Sequence, residues 1–161
     1  MNRIIFGGGF DPIHLGHINM ALVAKEALKG EVIFVPAQIA IWKSDSVSKE
    51  YKLAMIKLAI GKYDGFSIDT FEMDQKEQPR SYQTVQYFKQ KYPKDKLYFL
   101  IGQDQANSFD KWANPDEITK SAQIVYYKRP KHVINQANVD RFKMKVIEGP
   151  VVDTSSSEIR S

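Results

Sequence analysis

The sequence predicts an α/β fold, an open and mostly parallel sheet with helices on both faces, and three observations carry that expectation. Short apolar runs that read as buried strands alternate along the chain with segments whose apolar residues recur at helical spacing. Glycine, proline and Asp-Gly pairs punctuate them. The first strand, glycine loop, helix and second strand together occupy residues 3–35, the size of a βαβ unit, whose crossover should be right-handed with parallel strands.

Each element follows from its residues. Residues 3–6 form a short buried strand, stopped by Gly7-Gly8-Gly9 and Pro12. From His17 onward Met20, Ala21, Ala24, Ala27 and Leu28 recur as a helix would place them, and Gly30 is expected to close that helix in a left-handed conformation. Residues 32–35 make a second strand ended by Pro36. After a polar loop, Leu53, Ile56, Ala59 and Ile60 mark another helix, and Asp64-Gly65 turns the chain into an extended "FSIDTF". Ser81 suits the N-cap of a helix that carries Val85 and Phe88 and ends at Pro93. "KLYFLIG", residues 96–102, is the clearest central strand. A short helix over residues 115–121 is opened by Asn114, and "QIVYYK" (123–128) and "KVIEG" (145–149) are further strands. No repeat, low-complexity tract or linker divides the chain, so residues 1–161 read as one domain.

Composition narrows the setting. With 43% apolar and 26% charged residues the chain is an ordinary globular one, and no stretch approaches the roughly 20 apolar residues of a membrane helix. The N-terminal apolar run is too short for a secretory signal. The absence of cysteine excludes a disulfide framework, a thiolate nucleophile and a thiolate metal site, and the expected location is the cytoplasm. A net charge of +4 favours anionic partners, but the lysines are scattered rather than set in one stripe. Small phosphorylated ligands are therefore expected, with no nucleic acid and no membrane. The densest basic cluster, "YYKRPKH" (126–132), begins where a loop should follow a strand. The sequence sets no oligomeric state.

In such sheets ligands lie beyond the carboxyl ends of the strands, where glycine loops lead into helix N-termini. "FGGGFDPIHLGH" (6–17) occupies that place, and a helix start with unpaired N–H groups welcomes an anion. It is not a dinucleotide fingerprint, because Pro12 takes the third glycine's position, and it lacks the Gly-Lys-Ser/Thr of a P-loop. His14 and His17 stand three apart around the first helical turn, so both imidazoles can face one anion across Gly16. Two alternatives remain open here. The pair could ligate a metal, although zinc wants three or four protein ligands and only His132 is left; or it could simply pack and cap the helix. Asp11 reads as a turn residue before Pro12.

"GGGFDPIHLGH" resembles the GG-x-FDP-x-H-x-GH signature of the nucleotidyltransferase superfamily, and "SSSEIRS" (155–161) resembles the SST-x-IR motif that ends its catalytic domain. Read alone, Ser155 and Glu158 form a capping box, which is compatible with an anion site carrying Arg160. "RSYQTVQYF" (80–88), "YFLIGQDQANSFDKW" (98–112) and "KRP" (128–130) are similar to corresponding regions of bacterial nicotinate mononucleotide adenylyltransferases. The resemblance implies a Rossmann-like, nucleotidyltransferase-type domain that joins ATP to nicotinate mononucleotide with Mg²⁺, the metal held mainly by the ATP phosphates. It implies catalytic roles for His14, His17, Lys43 and Arg160. Gly8, Gly9, Phe10, Gly102, Asp104, Ser155, Ser156, Ser157 and Ile159 would lie against the nucleotide. Thr84, Trp112 and the Ala113 amide would hold the pyridine ring and its carboxylate. In "PAQIAIWK" Trp42 stands where the family usually has histidine, and family members usually continue beyond the last motif into a further helix. Pantetheine-phosphate adenylyltransferase and a non-catalytic nucleotide sensor are the competing readings.

Overall fold

Alternation of side chains across each strand builds two cores, one on either face of a single sheet. The computed structural model describes residues 1–10, 13–38 and 49–149. Its strands are β1 (Asn2–Gly8), β2 (Glu31–Pro36), β3 (Phe66–Ile68), β4 (Lys96–Gly102), β5 (Ala122–Tyr127) and β6 (Lys145–Ile147). They run in the order β3-β2-β1-β4-β5-β6, and every pairing is parallel. The helices are α1 (Leu15–Leu28), α2 (Lys49–Ile60), α3 (Ser81–Lys91), α4 (Gln103–Asn107), α5 (Pro115–Ser121) and α6 (Gln136–Phe142). Ile4, Phe6, Val32, Phe34 and Leu100 meet α1 and α2 on one face. Ile5, Ile33, Val35, Phe99 and Ile101 meet Val85, Phe88, Ala106 and Ile118 on the other. The doubly wound sheet expected from the alternating pattern is therefore present. Among the described residues no helix is long and apolar enough to cross a membrane.

Several boundaries differ from expectation, each for a local reason. The left-handed residue that closes α1 is Lys29, with φ of +51°, and not Gly30. Gly30 is needed for a different reason, since a Cβ there would stand 2.7 Å from the Asn2 carbonyl oxygen, where the chain turns back against β1. Gly30→Ala is expected to destabilise the fold by about 1–3 kcal/mol through overpacking against backbone, which urea denaturation would measure; an unchanged midpoint would mean that the β1 start yields freely. Ser81 is the first helical residue of α3 rather than its N-cap: Arg80 holds the cap position, and its amide donates to Gln83 Oε1 at 2.9 Å. Asn114 does open α5, but from a left-handed conformation with φ of +48° and without a capping bond from its side chain. The extended segment after Asp64-Gly65 is a strand only over Phe66–Ile68. Two elements had no clear periodicity to announce them: α4 and α6 are only five and seven residues long.

Candidate active site

The strand order reverses between β1 and β4, so a crevice opens beyond their carboxyl ends, at Gly8 and Gly102. The glycine turn after β1 is shaped by an aromatic plug. Phe10, at φ of +47°, buries its ring against Phe6 (5.5 Å between centroids), Phe34 (5.6 Å) and His17 (4.9 Å). A Cβ on Gly8 would press that ring at 3.3 Å, whereas one on Gly9 would meet nothing within 4 Å among the described residues. Phe10 is only 3% exposed, so any contact it makes with a ligand runs through its backbone rather than its ring.

The two histidines cap α1 in an unusual way. His14 Nδ1 accepts from the Gly16 amide at 3.0 Å, and His17 Nδ1 accepts from the His14 amide at 3.1 Å. The rings stack with centroids 3.8 Å apart. A nitrogen that accepts from a backbone amide carries no proton, so each neutral imidazole bears its hydrogen on Nε2. The Nδ1 edges order the helix start, so a donor role for either ring would use a different atom, Nε2. The packing-and-capping alternative and the donor alternative are compatible.

Burial, reinforced by the charge that His14 would carry, pushes the His17 pKa from 6.5 down to about 3. His17 is a neutral donor at physiological pH. In the unfolded chain it protonates near 6.5, so below that pH the unfolded state binds a proton that the folded state refuses until about pH 3. Stability should thus fall as pH is lowered from 6.5 toward 3, by up to about 1.4 kcal/mol per pH unit from this group. Urea denaturation at pH 6.5 and 5 would show a larger drop for the wild type than for His17→Asn. Equal drops would show that the fold does not hold His17 neutral.

Across the reversal, Gly102 ends β4 and Asp104 lies in the first turn of α4. Asp104 pairs with Arg129 at 2.7 Å, both side chains more than half exposed, a pair of little energetic weight. The buried Gln103 between them does more. Its Nε2 donates to the His132 carbonyl at 3.0 Å and its Oε1 accepts from the Arg129 amide at 2.8 Å, docking the basic loop after β5 onto the crevice. Sequence reasoning assigned Gln103 no role and saw the loop as a charge cluster that carries the family-like "KRP"; a polar residue beside the end of the central strand was the available signal.

Trp112 follows a 3-10 turn (Phe109–Lys111) and is half-buried on Phe109 (4.9 Å) and Phe99 (6.1 Å). Its remaining surface, with Lys111 and the exposed Ala113, forms one wall of an open groove of about 680 Å³ whose other wall is residues 77–81. The Ala113 amide has no hydrogen-bond partner among the described residues. Thr84 is not in that groove. Its amide donates to the Arg80 carbonyl at 3.2 Å inside α3, its hydroxyl donates to Glu72 at 2.7 Å, and it is 1% exposed. Both of its donors are engaged within the protein. Lys43, Arg160, Ser155, Ser156, Ser157 and Ile159 lie outside the described residues, as do Asp11 and Trp42. Among the described residues no group of three or more His, Cys, Asp or Glu could hold a metal ion.

A parallel sheet in this order, reversing between β1 and β4, defines a Rossmann-like doubly wound α/β domain. The chain belongs to the cytidylyltransferase-like family, whose model matches residues 5–161. A protein of Mycoplasma pneumoniae named "probable nicotinate-nucleotide adenylyltransferase/Ap4A hydrolase" is 35% identical over 97% of the chain, which spans 46% of that protein's length. An Aquifex aeolicus protein named "probable nicotinate-nucleotide adenylyltransferase" is 40% identical over 79% of the chain and 77% of its own length. The same fold occurs in Plasmodium falciparum nicotinic acid mononucleotide adenylyltransferase complexed with NaAD, with a TM-score of 0.80 at 20% identity, covering 98% of this chain and 81% of that one.

Proposed function

We propose that this chain transfers the adenylyl group of ATP to nicotinate mononucleotide, releasing pyrophosphate and forming nicotinate adenine dinucleotide, a step of NAD biosynthesis. The observation that carries the chemistry is the histidine pair beside the glycine turn: both Nδ1 atoms accept from backbone amides, which places the proton of a neutral ring on Nε2, and burial keeps His17 neutral. The names of relatives that match most of the chain supply the acceptor.

The mononucleotide's phosphate is already an anionic nucleophile. One of its oxygens forms the new bond to the α-phosphorus of ATP as the bond from that phosphorus to the bridging oxygen breaks, and pyrophosphate leaves with the electron pair. No base or covalent intermediate is needed. Alignment of two anions and neutralisation of the charge that moves onto the leaving group are the tasks, and His14, His17, Lys43 and Arg160 are the groups assigned to them. Gly8, Gly9, Phe10, Gly102, Asp104, Ser155, Ser156, Ser157 and Ile159 are assigned to the nucleotide, Phe10 through its backbone. Mg²⁺ accompanies ATP on its phosphates and supplies further charge neutralisation.

For the acceptor, the Trp112 face takes the pyridine ring. Its carboxylate finds donors in the Ala113 amide and in Arg80 and Lys111, cations on opposite walls of the groove. A carboxamide turned toward the same groups would set N–H against N–H, so the acid form is preferred. The reading takes the chain as one catalytic domain acting in the cytoplasm on small molecules. Incubation with ATP and Mg²⁺ and a panel of nicotinate mononucleotide, its amide and phosphopantetheine, followed by pyrophosphate release, tests it. The acid mononucleotide should be the best acceptor. Release with phosphopantetheine alone would reassign the acceptor, and no release with any would favour a nucleotide-binding module.

A further inference from the structure

The two halves of the site lie over opposite faces of the sheet. The glycine turn and histidines sit with the α1 core, and the Trp112 groove sits with the α3 and α4 core. Something must set the distance between them, because an in-line transfer tolerates little misplacement. A buried acidic residue that has no part in the chemistry lies between the two halves.

Glu72, 8% exposed in the turn after β3, accepts from the Thr84 hydroxyl at 2.7 Å and from Gln78 Nε2 at 2.7 Å. Gln78 Oε1 in turn accepts from the Gln38 amide at 2.6 Å, and Gln38 Nε2 donates to the Gln75 carbonyl. One residue earlier, the Ala37 amide donates to the Gly8 carbonyl at 2.8 Å, while the Ala37 carbonyl accepts from the buried Lys52 at 2.9 Å. The result is one connected path from the glycine turn, through the exit of β2, to Gln78 in the groove wall and Thr84 in α3. Burial raises the Glu72 pKa, and its bonds from Gln78 and Thr84, together with the Lys52 charge, oppose that rise. A carboxylate suits the place because it accepts on both oxygens at once.

We propose that Glu72 is the positioning residue that fixes the 77–81 wall of the acceptor groove against the glycine turn, with Gln78 as its link. A buried carboxylate joined to two elements holds both, and its loss leaves Gln78 and Thr84 without their acceptor. The choice of acceptor used in the test rests on the adenylyl-transfer reading; the linkage itself does not.

The test is a double-mutant cycle on the full chain with Glu72→Ala, Gln78→Ala and both together, with Glu72→Gln as the conservative variant. Each single change is expected to raise the apparent KM for nicotinate mononucleotide about tenfold, and the double no further than the stronger single. The KM for ATP should stay within about threefold in all variants, a split that loss of active protein would not produce. Glu72→Gln should fall between wild type and Glu72→Ala, because its amide oxygen still accepts from Gln78 while its NH₂ cannot accept from the Thr84 hydroxyl. Hydrogen exchange at the Gln38 amide should accelerate in Glu72→Ala and Gln78→Ala alike. Additive effects on KM, or wild-type Gln38 exchange in Gln78→Ala, would overturn the proposal. Should Glu72→Ala fail to fold, the exposed Gln78 decides the matter alone. Should the wild type refuse nicotinate mononucleotide, the adenylyl-transfer reading falls and Gln38 exchange still judges the linkage.

Discussion

His17→Ala is expected to lower turnover by about two to three orders of magnitude, the usual loss when one preorganised transition-state donor is removed. The fold should survive. His17 contributes three things: a cap to the His14 amide, an edge against the Phe10 ring, and a proton on Nε2, since Nδ1 is the accepting nitrogen. Loss of the cap costs about 1 kcal/mol, small beside the 5–15 kcal/mol of a typical domain. On the proposed adenylyl transfer the third contribution would carry the rate, because a neutral donor held in place needs no reorganisation as charge moves onto the departing pyrophosphate. His14→Ala should act similarly, for its Nδ1 is equally engaged at the helix start. Steady-state pyrophosphate release beside a thermal melt separates the cases. Near-normal rates in both variants would show that the histidines do no more than cap α1, and loss of cooperative melting would assign them to packing.

Trp112→Ala is expected to raise the KM for the mononucleotide roughly 10- to 100-fold, in line with the 1–3 kcal/mol that stacking of a base on an aromatic side chain contributes. The acid and amide forms should weaken alike, because an indole face does not tell a carboxylate from a carboxamide. The ATP constant should change little. Since the indole also covers Phe109, the substitution leaves a partial cavity and lowers stability as well. Trp112→Phe keeps a ring on Phe109 and on the groove, and should recover most of the affinity. If Trp112→Phe were as weak as Trp112→Ala, stacking would not be the source of the effect. An unequal loss of the two acceptor forms would mean that the indole itself takes part in recognising the carboxylate.

The parts of this protein legible in its sequence are those with a local cause. "KLYFLIG" is a strand in isolation because a continuous apolar run ended by glycine has no other economical place than the middle of a sheet, and it is β4. The Pro115–Ser121 helix is announced by proline at its first position. Likewise the spacing of His14 and His17 alone puts both rings on one turn. Short elements were harder: α4 and α6 are held by side chains from distant segments, as when Asn138 donates to the Ala106 carbonyl at 3.0 Å.

By itself, then, the sequence determined the alternation of strands and helices, the glycine turn and the histidine pair, because each depends on neighbours within one or two turns of the chain. Only the tertiary structure decided the strand order that opens the crevice between β1 and β4, which imidazole nitrogens cap the helix, and that Thr84 is bound to Glu72 rather than to the groove. The physical reason is the same in each case. A polar group's role is set by which partner reaches it first in the folded chain, and Glu72 reaches Thr84, as Gln78 reaches Gln38 across 40 residues, through packing that no local periodicity encodes.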